Sequence, residues 1–180
     1  MLEEFDIHIK DNFLDKEIYK LIYDKIPFYA YSGNYGYHNI EGSLIKEQNG
    51  NPEHLFYGAT VEKNISNHVK EKCEKLYNKK FKENYTAYTM VTRTTPMVHC
   101  DKGKNTSHQI IIYIRGDEGL NRGTGFYVKN NNIHELNTHI GFKENRAIFW
   151  ESSVYHSPLI WSDDNKNKRF SIIAQYKEKQ

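Results

Sequence analysis

From residue 85 onward the apolar side chains recur at every second position, and that period is the period of a strand. The run His108-Gln109-Ile110-Ile111-Ile112-Tyr113-Ile114 is the plainest case. Gln109, Ile111 and Tyr113 face one way, and Ile110, Ile112 and Ile114 face the other. β-Branched residues crowd a helix and suit a pleated surface. Tyr85 to Val98 is expected to hold one or two further strands, with Pro96 at an edge or bend. Gly123-Thr124-Gly125 reads as a glycine turn entering a strand through Val128. Arg146–Glu151 is another strand, Trp161 sits near the end of the next, and Arg169–Tyr176 is the last.

The first half has a different period. Phe5, Ile7 and Ile9 alternate as a short strand, and Asp11-Asn12 turns the chain. Asp15 is a good N-cap, and the spacing of Ile18, Leu21, Ile22 and Ile26 predicts a helix over about 15–26, stopping before Pro27. Ile65, Val69, Cys73, Leu76 and Tyr77 place one face of a second helix between Val61 and Phe81. Residues 28–60, rich in tyrosine, glycine and asparagine, read either as a cover over a pocket or as an ordinary surface loop. With no linker or repeat, residues 1–180 form one domain. Its strand, helices and loops lie within about 1–84 and its β-core within about 85–177. Early helices and seven or eight later strands point to an α+β fold. The core is expected to be a double-sheet jelly roll, the double-stranded β-helix of cupins, with the N-terminal helices packed on one sheet.

Composition excludes more than it selects. The net charge of +2, from 25 basic and 23 acidic residues, demands neither nucleic acid nor a membrane surface as partner. Cys73 and Cys100, the only cysteines, suit free thiols of a reducing compartment rather than a disulfide framework. No leader-like or membrane-length apolar run is visible, so a soluble cytoplasmic protein is expected. The oligomeric state is not written in the chain.

The chemistry concentrates at His99-Cys100-Asp101. On an extended segment alternate side chains share a side, so His99 and Asp101 point together and Cys100 points away. Two histidines and one carboxylate on one face are a ligand set for non-haem iron. His156, 55 residues beyond Asp101 (156 − 101), is the second histidine, and a β-barrel brings such distant strands together. Arg169 follows 13 residues later (169 − 156), with Ser171 on the same face of its strand. A guanidinium offers paired donors that match a carboxylate. Arg169 and Ser171 would clamp the far end of a dicarboxylate whose near end chelates the metal.

His99-x-Asp101, Gly123-x-Gly125-Phe126-Tyr127, Phe149-Trp150 with His156, and Arg169-x-Ser171 stand in the order seen in one enzyme superfamily. The chain resembles the Fe(II)/2-oxoglutarate-dependent dioxygenases over about residues 85–177, and most closely their prolyl-4-hydroxylase-like branch. The opening, Ile7 to Leu14 and its helix, resembles the start of that branch. The resemblance implies that His99, Asp101 and His156 are catalytic iron ligands. It implies that Arg169, aided by Ser171, pairs with 2-oxoglutarate. Tyr113 and Tyr88 match positions from which a tyrosine reaches that co-substrate. It further implies O2 as oxidant, release of succinate and CO2, and ascorbate in a supporting role. The substrate would be a prolyl or other peptidyl side chain, or a small metabolite. Arg169 departs from the lysine of the animal collagen enzymes, and no second arginine stands at the nucleic-acid demethylase spacing. Two alternatives remain at this point: a cupin-type module holding a metal without turnover, and a metal enzyme that does not use 2-oxoglutarate.

Overall fold

The isoleucine run is covered on both faces. It forms β5 (His108–Arg115), of which all but the last residue are buried. In this computed structural model, which describes residues 5–31, 36–37, 56–91, 98–103, 105–116, 119–160 and 169–179, β5 lies inside a seven-stranded sheet. The other strands of that sheet are β1 (Ile7–Lys10), β2 (Gly36–Tyr37), β3 (Phe56–Thr60), β4 (Phe81–Val91), β8 (Ala147–Glu151) and β10 (Arg169–Glu178). Their order is β1-β8-β5-β10-β4-β3-β2, and every pairing is antiparallel. A second sheet, β7-β6-β9, is built from β6 (Gly119–Asn130), β7 (Ile133–Phe142) and β9 (Tyr155–Ile160). Two sheets with helices on the outside of one make this the α+β jelly roll that the strand count implied.

Side-chain parity divides the larger sheet into two faces. Ile110, Ile112, Ile114, Ile172, Ala174 and Tyr176 join Ile22, Ile65 and Val69 in a core shared with α1 (Lys16–Tyr31) and α2 (Lys63–Tyr77). The other face supplies Ile111, Tyr113, Ile148 and Trp150, which meet Phe126, Ile140 and Phe142 from the second sheet. The site faces this inner core.

Several expectations change. Helix α1 runs through Pro27 to Tyr31 instead of stopping before it. Proline removes one backbone donor and crowds the preceding turn, but this biases a helix boundary without fixing it. Helix α2 ends at Tyr77, where Asn78 takes the left-handed conformation (φ 50°), so Phe81 opens β4 instead of closing a helix. Leu76 and Ile9 are exposed, not core. Gly123 is not in a turn but inside β6, where a Cβ would lie 2.1 Å from the Ile140 carbonyl oxygen. The backbones of β6 and β7 therefore approach more closely there than any side chain permits. Strand β7 follows a two-residue turn at Asn131-Asn132, with Asn131 at φ 55°. The end of α1 and strands β2 and β3 occupy parts of the 28–60 stretch, whose remaining residues 32–35 and 38–55 lie outside those described, as do Pro96 and Trp161. No described helix is long and apolar enough to cross a membrane.

The chain's opening is tied to the β7–β8 turn. Asn145 accepts a hydrogen bond from the Leu14 N–H (2.8 Å) and donates to its carbonyl (2.9 Å). Asp11 receives Arg146 Nε (2.7 Å) and Lys143 Nζ (2.8 Å), and these partners, Arg146 first, hold its carboxyl down at about 2. Because the folded value lies below the ordinary one, this stabilisation is complete above about pH 4 and lost as pH falls towards 2. The pair is partly exposed, so Asp11→Asn is expected to cost only about 1 kcal/mol at neutral pH. It should also flatten the fall of melting temperature with acid, which a thermal-melt series across pH would reveal.

Candidate metal centre

The three candidate ligands come from two segments that the backbone brings together. His99 and His156 are reciprocal antiparallel partners: His99 N–H donates to the His156 carbonyl (3.1 Å) and His156 N–H to the His99 carbonyl (2.8 Å). The segment around His99 thus continues the second sheet beyond β9. One residue pair of ladder sets the imidazole rings 4.5 Å apart. Asp101, two residues on, returns to the same side. One donor atom from each of His99, Asp101 and His156 lies within 4.8 Å of the other two. Among the described residues no other group of three or more His, Cys, Asp or Glu side chains is so arranged.

The surroundings prepare these groups for a cation. His156 Nδ1 lies 3.1 Å from the Val154 carbonyl oxygen, which places the ring proton there and leaves the Nε2 lone pair beside Asp101 Oδ2, 3.4 Å away. Trp150 and Phe126 pack around the same ring, at 5.1 and 6.5 Å between centroids. Burial pushes the Asp101 carboxyl up, but the neighbouring imidazoles, His156 before His99, and the Gln109 amide outweigh it. The carboxyl is held below the ordinary range and stays ionised. His99 is the open side of the triad, with its side chain 45% exposed against 10% for His156.

Further along the inner face lies a second polar group. Ser171 is in register with Tyr113, and Arg169 precedes it by two residues on β10. Arg169 is 3% exposed, its guanidinium lies 5.4 Å from the centre of the Tyr113 ring, and its Nη1 donates to the Gly123 carbonyl. Among the described residues no acid is paired with it, and its Nε has no acceptor there. Ser171 Oγ, fully buried beside it, is also without a partner. Tyr113 Oη and Thr124 Oγ1 share a hydrogen bond of 2.7 Å. Burial works against the Arg169 charge, partly offset by Tyr113, but a guanidinium stays protonated in proteins. A buried cation with no anion among the described residues, beside a buried hydroxyl without a partner there, is an arrangement that a carboxylate would complete.

The structure therefore brings His99, Asp101 and His156 together, and Arg169, Ser171 and Tyr113 together. It does not bring in Tyr88. Tyr88 pairs with Ile172 and so faces the helices, where its hydroxyl donates to Glu62 Oε2 at 2.5 Å. The even parity of β4 excludes Tyr88 from the inner face, on which Thr89 stands instead. Sequence reasoning missed Gln109, Thr124 and Trp150. A lone amide in an isoleucine run was a usable signal for Gln109, since it shares a face with Tyr113.

No protein-family model matches the chain, and no curated protein matches it in sequence. Solved structures do match its fold. A prolyl hydroxylase from Trichoplax adhaerens, in complex with a hypoxia-inducible-factor oxygen-degradation-domain peptide, has a TM-score of 0.64 at 11% identity, over 94% of this chain and 82% of its own. A prolyl-4-hydroxylase from Pseudomonas putida has a TM-score of 0.64 at 6% identity, over 97% and 94%. The epimerase SnoN, in complex with Fe3+, alpha ketoglutarate and nogalamycin RO, has a TM-score of 0.65 at 8% identity, over 96% and 78%. At such identities the likeness is one of fold: this chain has the jelly roll on which these non-haem iron enzymes are built.

Proposed function

We propose that the chain is an Fe(II)- and 2-oxoglutarate-dependent oxygenase that hydroxylates a prolyl or other peptidyl side chain, or a small metabolite. One observation carries the reading. On one inner face the fold holds a His-Asp-His cluster and a buried arginine that has no acid among the described residues. The first suits a divalent cation and the second a carboxylate, and a keto diacid has an end for each.

The residues present fit both groups. His99, Asp101 and His156 are the imidazole and carboxylate donors that Fe(II) accepts. Arg169 Nε and Ser171 Oγ are donors without acceptors, and the Tyr113–Thr124 hydroxyl pair stands near them. β5 links the two ends: Gln109 touches His156, and Tyr113, four residues on, lies under Arg169. That is about 13 Å of strand between Cα positions, which side chains converging from both ends shorten to the scale of a five-carbon diacid. Bound iron with 2-oxoglutarate supplies the oxidising power, as O2 is consumed and succinate and CO2 are released. The chain's own part is to hold the cation on one side, neutralise the distal carboxylate and exclude water. Phe126, Ile140, Phe142 and Trp150 supply the apolar wall for the last of these. Two free thiols, Cys73 buried and Cys100 half-buried, suit a cytoplasmic setting.

The test is direct. Full-length protein with Fe(II) and ascorbate is incubated with 2-oxoglutarate and a panel of proline-containing peptides, free amino acids and small metabolites. Succinate formation that rises with one class of substrate is expected. Metal binding without any 2-oxoglutarate binding would replace this reading with the cupin-type alternative.

A further inference from the structure

The metal reading accounts for three side chains at the centre, but a fourth touches two of them. Gln109 enters from β5, on the sheet opposite β9, and is 1% exposed. Its Nε2 lies 3.5 Å from His156 Nε2, and the amide stands beside the Asp101 carboxylate, which it helps to keep ionised. A buried primary amide is costly unless its hydrogen bonds are made, and packing alone would favour another isoleucine here. Its neighbours fix its place. Trp150 stands in register on β8 and Gln175 in register on β10, so Gln109 projects from the middle of a three-strand row beneath the ligands.

We propose that Gln109 is a positioning residue for the metal centre, aligning the Asp101 carboxylate with His156 Nε2 before a cation arrives and holding that carboxylate afterwards. The inference rests on the metal reading above. His156 Nδ1 is engaged by the Val154 carbonyl, so the lone pair at Nε2 accepts the Gln109 N–H. A cation must take that same lone pair. The amide then leaves His156 and keeps Asp101, which it can do because a primary amide carries two N–H donors. An amide suits the task for a reason of charge. A lysine would repel the cation, and a carboxylate would compete with Asp101 for it. Arriving from the opposite sheet, Gln109 also ties the β9 half of the site to the rigid middle of the larger sheet.

The experiment uses Co(II), whose visible absorption reports ligand geometry, titrated into full-length protein with no 2-oxoglutarate present. Two variants separate positioning from mere burial. Gln109→Met keeps the volume and loses the amide, whereas Gln109→Asn keeps an amide that is one methylene too short. Both are expected to bind Co(II) about 10- to 100-fold more weakly than wild type, the usual effect of losing a partner behind a ligand. Their absorption bands should shift, while the melting temperature of metal-free protein stays close to that of wild type. Wild-type affinity and an unshifted spectrum in either variant would overturn the proposal. If wild-type protein itself fails to bind Co(II), the metal reading falls first and this one with it.

Discussion

Asp101→Ala is expected to abolish measurable metal binding while leaving the fold intact. Asp101 is the only carboxylate among the three candidate ligands, so the variant loses the anionic donor and keeps two neutral imidazoles. Losing a partner that merely orients a ligand costs about 10- to 100-fold in affinity, so losing the ligand should cost more than about 100-fold. The fold should survive because Asp101 sits on a segment joined to β9 by the His99–His156 backbone bonds, which alanine does not disturb. Titration of Fe(II) without oxygen, beside a thermal melt of metal-free protein, separates the two outcomes. Unchanged metal affinity would remove His99-x-Asp101 from the site.

Arg169→Met is expected to have opposite effects on binding and on stability. The variant should lose 2-oxoglutarate affinity by about 100-fold or more, because breaking one side of a buried ion pair costs about 3–5 kcal/mol. Metal affinity should not change. In the free protein, however, Arg169 is a buried cation with no acid among the described residues. Replacing it with an apolar chain of similar length removes a desolvated charge, so the ligand-free melting temperature should hold or rise. An arginine serving only to pack or brace β10 would give the reverse, a lower melting temperature and unchanged binding. Arg169→Lys, which keeps the charge without the fork, should fall between wild type and Met in binding. Isothermal titration with 2-oxoglutarate and scanning calorimetry without it give both quantities.

The strands and the grouping of the candidate ligands were legible for the same reason: alternation is a local rule. His99 with Asp101, and Arg169 with Ser171, could be paired from two-residue spacing alone, and the structure keeps each pair on one side. The sequence alone could not say which face of one strand meets which face of another. Tyr88 failed on this point, since its side was decided by its register with Ile172. Gln109 was placed on the correct face by its spacing from Tyr113, yet its partners come from residues 101 and 156, which no local pattern links. Strand β7 escaped because an edge strand needs little apolar content, and within it only Ile140 and Phe142 are buried. Helix α1 outran its proline because a single lost donor is a modest cost set against a formed helix.

The reciprocal bonds between His99 and His156 have a consequence for how the protein ages and unfolds. A cation held by both histidines would be a cross-link between positions 57 residues apart (156 − 99), closed and reopened by metal exchange instead of redox chemistry. A covalent link closing a loop of that size removes about 4 kcal/mol of chain entropy from the unfolded state. A cation that stayed bound in partly unfolded forms would act as a removable staple across β5 to β9. The proposed centre would then also govern how readily the barrel opens, and a chelator would loosen the half of the chain that no disulfide secures.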